Sequence, residues 1–181
     1  MTRNSDRTKL IVMTGLLAAL ACVATMFIRV PSPTNGYMNL GDTVVLLAAY
    51  LLGPVYGALA GGVGSCLADL FSGYVMYVPA TLIIKAIMGL VAGLIYRAMG
   101  KKTASLLVCG VAAEAVMVTG YWLFDAILST AAGGSLGAAL VGSAVGIPSN
   151  LVQAAFGIVL STVLMLALRR NSYMHEQFPV M

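Results

Sequence analysis

Charge is scarce in this chain. Of 181 residues only 9% are Asp, Glu, Lys or Arg, against 60% hydrophobic, and the mean hydropathy is +0.97. A soluble domain carries about a quarter charged residues, so a soluble fold is excluded and an integral membrane protein is expected. Histidine occurs once, at His175, so no His-Glu-x-x-His metal motif can form. Cys22, Cys66 and Cys109 are odd in number, lie in apolar runs and lack metal-ligand spacing, so they read as small buried apolar residues. No Gly-x-x-x-x-Gly-Lys-Ser/Thr phosphate loop is present either. Gly62-Val-Gly64 is no dinucleotide motif, since Leu67 stands where the third glycine belongs. The net charge of +4 is not a nucleic-acid footprint, because the basic residues are scattered at segment ends.

What is present is a series of apolar segments of membrane-crossing length, about 20 residues each. They predict an all-α integral membrane protein: one membrane domain over 1–181, a compact bundle of six transmembrane helices. The expected helices are roughly 9–28, 40–52, 55–71, 79–99, 103–130 and 142–170, the last with Pro148 as a kink or in its first turn. The first reads as a transmembrane helix rather than a cleaved signal. With six spans, Arg3, Arg7, Lys9, Arg97, Lys101, Lys102, Arg169 and Arg170 fall on one side, eight of the ten basic residues. The positive-inside rule then makes both N- and C-termini cytoplasmic. Gly57, Gly61, Gly62, Gly64 and Ser65 give the third helix the small residues that close helix packing needs.

Against this background the polar residues stand out, because lipid tolerates them only facing protein, water or a ligand. Asn39 and Asp42 open the second helix, Asp69 closes the third, and Tyr77 and Lys85 belong to the start of the fourth. At 1.5 Å per residue, Lys85 lies about 10 Å below the outer boundary. Glu114, Met117, Val118, Tyr121, Trp122 and Asp125 recur at helical spacing in the fifth, and Asn150 and Gln153 occupy the outer half of the last. Two readings stand side by side. Tyr121 and Trp122 can be an interfacial belt, with Lys85 and one carboxylate a structural ion pair. Taken together, the shared depth favours a ligand pocket, in which a planar heterocycle stacks on aromatics while amides and charges meet its polar atoms. The expected site is Asn39, Asp69, Tyr77, Lys85, Trp122, Asp125, Asn150 and Gln153. The segment 29–36, with Arg29 snorkelling or at the site, and the Tyr74–Tyr77 link are candidate lids. No catalytic motif or ATPase supports an enzyme. A self-sufficient proton-coupled carrier, with Glu114 as relay, is the rival transport reading.

Asn39-Leu-Gly-Asp42, Leu52-Gly-Pro54 with Gly57, Gly64-Ser-Cys-Leu-Ala-Asp69 with Gly73-Tyr74, Pro79-Ala-Thr81 and Ile84-Lys85 resemble the S components of energy-coupling factor (ECF) transporters. Within them they resemble the branch assigned to hydroxymethylpyrimidine or pyridoxine, with riboflavin, pantothenate and thiamine as alternative vitamins. The resemblance implies a substrate-binding subunit in the plasma membrane of a prokaryote. Its partners would be a transmembrane coupling (T) subunit and two cytoplasmic ATPase subunits. ATP and Mg are used by those partners, and no cofactor or metal is expected in this chain. It further implies docking to the coupling subunit through small residues of the first helix: Thr14, Gly15, Ala18, Ala19 and Cys22, the last replacing a usual alanine.

Overall fold

The structure, a computed structural model, describes residues 3–34 and 36–173; His175 lies outside them. Its helices are α1 (Arg3–Phe27), α2 (Gly41–Leu52), α3 (Pro54–Phe71), α4 (Val78–Ala98), α5 (Thr103–Ala131), α6 (Leu136–Ser143) and α7 (Ile147–Leu168). Among the described residues five stretches are long and apolar enough to cross a membrane, the last being Leu136–Leu168, which joins α6, a 3-10 turn and α7. The last expected helix therefore starts earlier than residue 142 and is broken, with Pro148 in the first turn of α7. Prolines also open α3 and α4. A first-turn N–H has no helical partner, so its loss there costs nothing.

The second expected span differs from the others. α2 has 12 residues, all buried, and at 1.5 Å per residue its length of about 18 Å falls short of a bilayer core of about 30 Å. It is encased by α1, α3, α4 and α7, so it needs neither full length nor a lipid-facing side. Gly53, at φ 85°, turns the chain directly into α3, a left-handed conformation that glycine adopts without penalty.

α3 is the hub, and its glycines point three ways. A Cβ on Gly57 would fall 2.5 Å from Ala49 Cα, and one on Gly61 would fall 2.6 Å from Val45 Cγ1, both in α2. On Gly62 it would meet the Leu82 carbonyl of α4 at 2.9 Å, and on Gly64 the Ala21 Cβ of α1 at 2.9 Å. Without a hydrophobic force to drive helices together in lipid, such backbone proximity supplies the dispersion contact that holds the bundle.

The segment after α1 is not a loop throughout. Arg29–Pro31 (β1) and Tyr37–Asn39 (β2) pair antiparallel, with Val30 opposite Met38. This hairpin caps one end of the bundle, so Asn39 sits in a strand and not at the start of a helix as expected. Its carboxamide oxygen still accepts from the Gly41 N–H at 2.8 Å and so caps α2 from outside. At the opposite end, Arg169 reaches the Tyr96 phenol and the Lys101 carbonyl, joining the ends of α4 and α7.

Candidate functional site

Helix ends converge under the hairpin, and each brings a polar side chain to one cavity. α3 ends with Asp69, α4 begins with Tyr77 before it and Thr81 in its first turn, α5 carries Tyr121 and Asp125, and α7 carries Asn150 and Gln153. Tyr37 and Asn39 descend from β2. Six of the eight expected residues therefore line one cavity: Asn39, Asp69, Tyr77, Asp125, Asn150 and Gln153.

The lining is cross-linked. Tyr37 donates to Asp69 Oδ1 at 2.6 Å. The Tyr77 hydroxyl lies 2.7 Å from Asp125 Oδ1 and 2.8 Å from the Thr34 carbonyl. Burial, then the neighbouring carboxylate, pushes both phenols above their ordinary pKa, so both stay protonated as donors. Thr81 and Tyr121 share a hydrogen bond of 3.0 Å, and Ser32 reaches Ser149 at 3.0 Å. Above these bonds Tyr37 packs on Tyr74, with centroids 4.6 Å apart, Tyr74 on Tyr77 and Tyr77 on Phe124. The hairpin and the Tyr74–Tyr77 segment thus meet as a roof. Beneath it remains a cavity of about 30 Å³, room for a water or two. A larger recess, about 560 Å³, opens beside it between α5, α6 and the roof, and shares Thr34, Tyr77 and Asp125 with it.

Lys85 and Trp122 are not in the lining. Lys85, 1% exposed, sits one layer deeper and forms an ion pair with Asp42. Gln153 Nε2 donates to the other Asp42 oxygen at 2.6 Å, while Gln153 Oε1 accepts the Asn39 N–H at 2.8 Å. A continuous polar chain therefore runs from Lys85 through Asp42 and Gln153 to the hairpin. Trp122 turns toward α6 and donates its indole N–H to the Leu140 carbonyl at 2.9 Å. Arg29 is exposed at the rim, its guanidinium 5.9 Å from the Tyr37 ring centroid.

Tyr37, alongside Thr81 and Tyr121, is a lining residue that the expected site leaves out. It precedes Asn39 by two, so in a strand the two share a face. Reading 29–36 as a lid segment and Asn39 as the opening of a helix concealed that signal.

The small residues of α1 divide between two faces. Gly15 and Ala19 are exposed, with nothing near the missing Gly15 side chain. Cys22 is buried, and the Ala18 carbonyl rests on Gly64, so these two pack inward on α3. Thr14 is half-buried and returns its hydroxyl to the Leu10 carbonyl at 2.7 Å. The five do not form one open stripe, because α1 uses part of it to hold α3. Gly133-Gly-Ser-Leu-Gly137 has the letters of a hydrolase nucleophile turn, but Ser135 instead caps α6, accepting from the Ala138 N–H.

A family model described as "ECF-type riboflavin transporter, S component" matches residues 5–170. The solved S component for biotin from an ECF-type ABC transporter has the same fold, with TM-score 0.64 at 18% identity over 98% of this chain and 99% of that one. A second solved structure, described as the S component of a bacterial ECF transporter, gives TM-score 0.59 at 30% identity over 91% of this chain and 95% of that one. An uncharacterized protein in gap 3'region of Pyrococcus woesei is 47% identical over 72 residues, 39% of this chain. That match covers 48% of the relative, so the chain spans about half the length of this curated protein. With the family match extending through all of the membrane helices, and the fold shared with a relative at 30% identity, the chain belongs to the S components of ECF-type transporters.

Proposed function

We propose that this chain captures a small vitamin or vitamin precursor at the hairpin end and delivers it for ATP-driven uptake with a coupling subunit and two ATPases. The observation that carries this reading is the cavity itself. It is a cluster of carboxylates, phenols and amides roofed by two loops in an otherwise apolar bundle. A structural core would have no use for so many polar groups at one level. With the basic residues near Arg97, Lys101 and Arg169 facing the cytoplasm, the cavity opens outward.

Its chemistry favours a class of ligand. Asp69 and Asp125 line it, and among the described residues no lysine or arginine does. Lys85 is already neutralised by Asp42. A vitamin bearing a carboxylate, such as biotin or pantothenate, would meet like charge there without compensation. An uncharged or cationic nitrogen heterocycle would instead offer donors to the carboxylates and a ring face to Tyr37, Tyr74 and Tyr121. Hydroxymethylpyrimidine and pyridoxine fit that description. Thiamine also fits it, and riboflavin, named by the family model, is the second reading. The closed cavity is small, so a single ring requires less displacement of the roof than a tricyclic one.

The test is mass spectrometry of the small molecule that co-purifies with the detergent-solubilised protein, followed by competition among pyridoxine, hydroxymethylpyrimidine, thiamine, riboflavin and pantothenate. A pyridine or pyrimidine is expected to bind most tightly. Binding of pantothenate alone would overturn the ligand class. Uptake against a gradient by vesicles holding only this chain would overturn the S-component mechanism and favour a self-sufficient carrier.

A further inference from the structure

One buried acid takes no part in the cavity. Glu114 in α5 is 2% exposed, and neither of its carboxyl oxygens has a hydrogen-bond partner. It lies against the bare flank of Gly157 in α7, where a Cβ would press on Glu114 Oε1 and stand 3.0 Å from the Cβ of Asp42. Asp42 is itself 1% exposed. Its oxygens receive Lys85 Nζ and Gln153 Nε2.

The groups facing this point can be named element by element. Asp42 and Tyr50 come from α2 and Lys85 from α4. α6 and α7 contribute no titratable side chain. The charged set is therefore two carboxyls and one ammonium. Fully ionised, it would leave one uncompensated negative charge inside the bundle, a costly state. Two carboxylates also cannot satisfy each other, since both only accept hydrogen bonds. A single proton removes both difficulties. A metal ion would need further oxygen ligands. Gln153 Oε1 is occupied by the Asn39 N–H, and no group of three or more metal-binding side chains occurs among the described residues.

We propose that Glu114 is a proton-binding site: a neutral carboxylic acid at neutral pH that donates its O–H to the carboxylate of Asp42. Asp42 keeps the charge because Lys85 and Gln153 bond to it, and Glu114 takes the proton because nothing else does. The proton holds the chain Lys85–Asp42–Gln153–Asn39 together beneath the roof. Its loss would place a second negative charge beside Asp42 and loosen the hairpin from below.

The test is infrared spectroscopy of the full chain in lipid nanodiscs. A protonated-carboxyl band is expected at neutral pH, sensitive to deuterium exchange, lost in Glu114→Gln and retained in Asp69→Asn and Asp125→Asn. In Asp42→Asn the ammonium of Lys85 loses its ion-pair partner, and Glu114, which lies within its field, should ionise in its place, so the band should again vanish. Absence of the band in the unaltered protein overturns the proposal whether or not any variant folds. Persistence of the band in either Glu114→Gln or Asp42→Asn overturns it as well. A second readout rests on the vitamin-binding reading: affinity should fall at the alkaline pH where the band disappears, and Glu114→Gln should bind without that fall. If no vitamin binds but the infrared pattern holds, the binding reading fails and the proton site stands.

Discussion

The hydroxyl of Tyr77 lies between the Thr34 carbonyl at 2.8 Å and the carboxylate of Asp125 at 2.7 Å. One side chain thereby ties the segment before α4 to both the hairpin loop and α5. With Thr34 and Asp125 it also forms the wall between the closed cavity and the recess beside it, since all three line both.

Tyr77→Phe should therefore act as an unlatched roof. The ring contacts with Tyr74 and Phe124 survive, while a hydrogen bond to a charged acceptor, about 1.5–3 kcal/mol, is lost. Stopped-flow binding should show faster association and faster dissociation, with affinity lower by roughly tenfold. Unchanged rates in both directions would mean that the latch does not govern entry.

Trp122 gives a contrasting expectation. Its N–H is committed to the Leu140 carbonyl, outside the cavity lining. Trp122→Phe should cost about 0.5–1.5 kcal/mol of stability, the scale of one such bond, read as a lower melting temperature in detergent. Ligand affinity should stay within about twofold. A large affinity loss without a melting change would place the indole on the ligand.

The two outcomes for Tyr77 and Trp122 show what the sequence carried. Depth was legible, because a polar residue's position along an apolar helix fixes its level in the membrane, and Asp69, Asp125, Asn150 and Gln153 all reached the cavity. Direction was less legible. Tyr121 and Trp122 are adjacent, and neighbouring residues on a helix point about 100° apart, so only one of them could face the cavity. Lys85 was assigned the right segment, but its partner Asp42 lies 43 positions away, a pairing that helical spacing cannot reveal. The hairpin was hidden for another reason. β1 and β2 are three residues each, too short to show alternation, and Pro31 and Gly36 read as loop.

The buried pair below the cavity predicts a stability effect with a defined rescue. Lys85→Met should strand the Asp42 carboxylate in a charge-poor core, at a cost of about 3–5 kcal/mol. Adding Asp42→Asn removes the orphaned carboxylate and should recover part of the lost melting temperature. If the double variant melts lower than Lys85→Met alone, the two residues do not act as a pair.

The two faces of α1 separate folding from coupling. Gly15 is exposed, with open space beside it, whereas Gly64 is closed by the Ala18 backbone and Ala21. Gly15→Leu should therefore leave vitamin affinity and melting temperature unchanged, while its added bulk keeps α1 off a partner helix that needs close approach. Uptake measured with the coupling subunit and ATPases present should fall severalfold or more. Gly64→Leu should do the reverse at the level of cause, driving a side chain into α1, lowering melting temperature and losing binding and uptake together. The discriminating quantity is uptake divided by bound vitamin. That ratio should drop for Gly15→Leu and hold for whatever Gly64→Leu protein remains folded. An unchanged ratio for Gly15→Leu would remove α1's open face from the coupling interface.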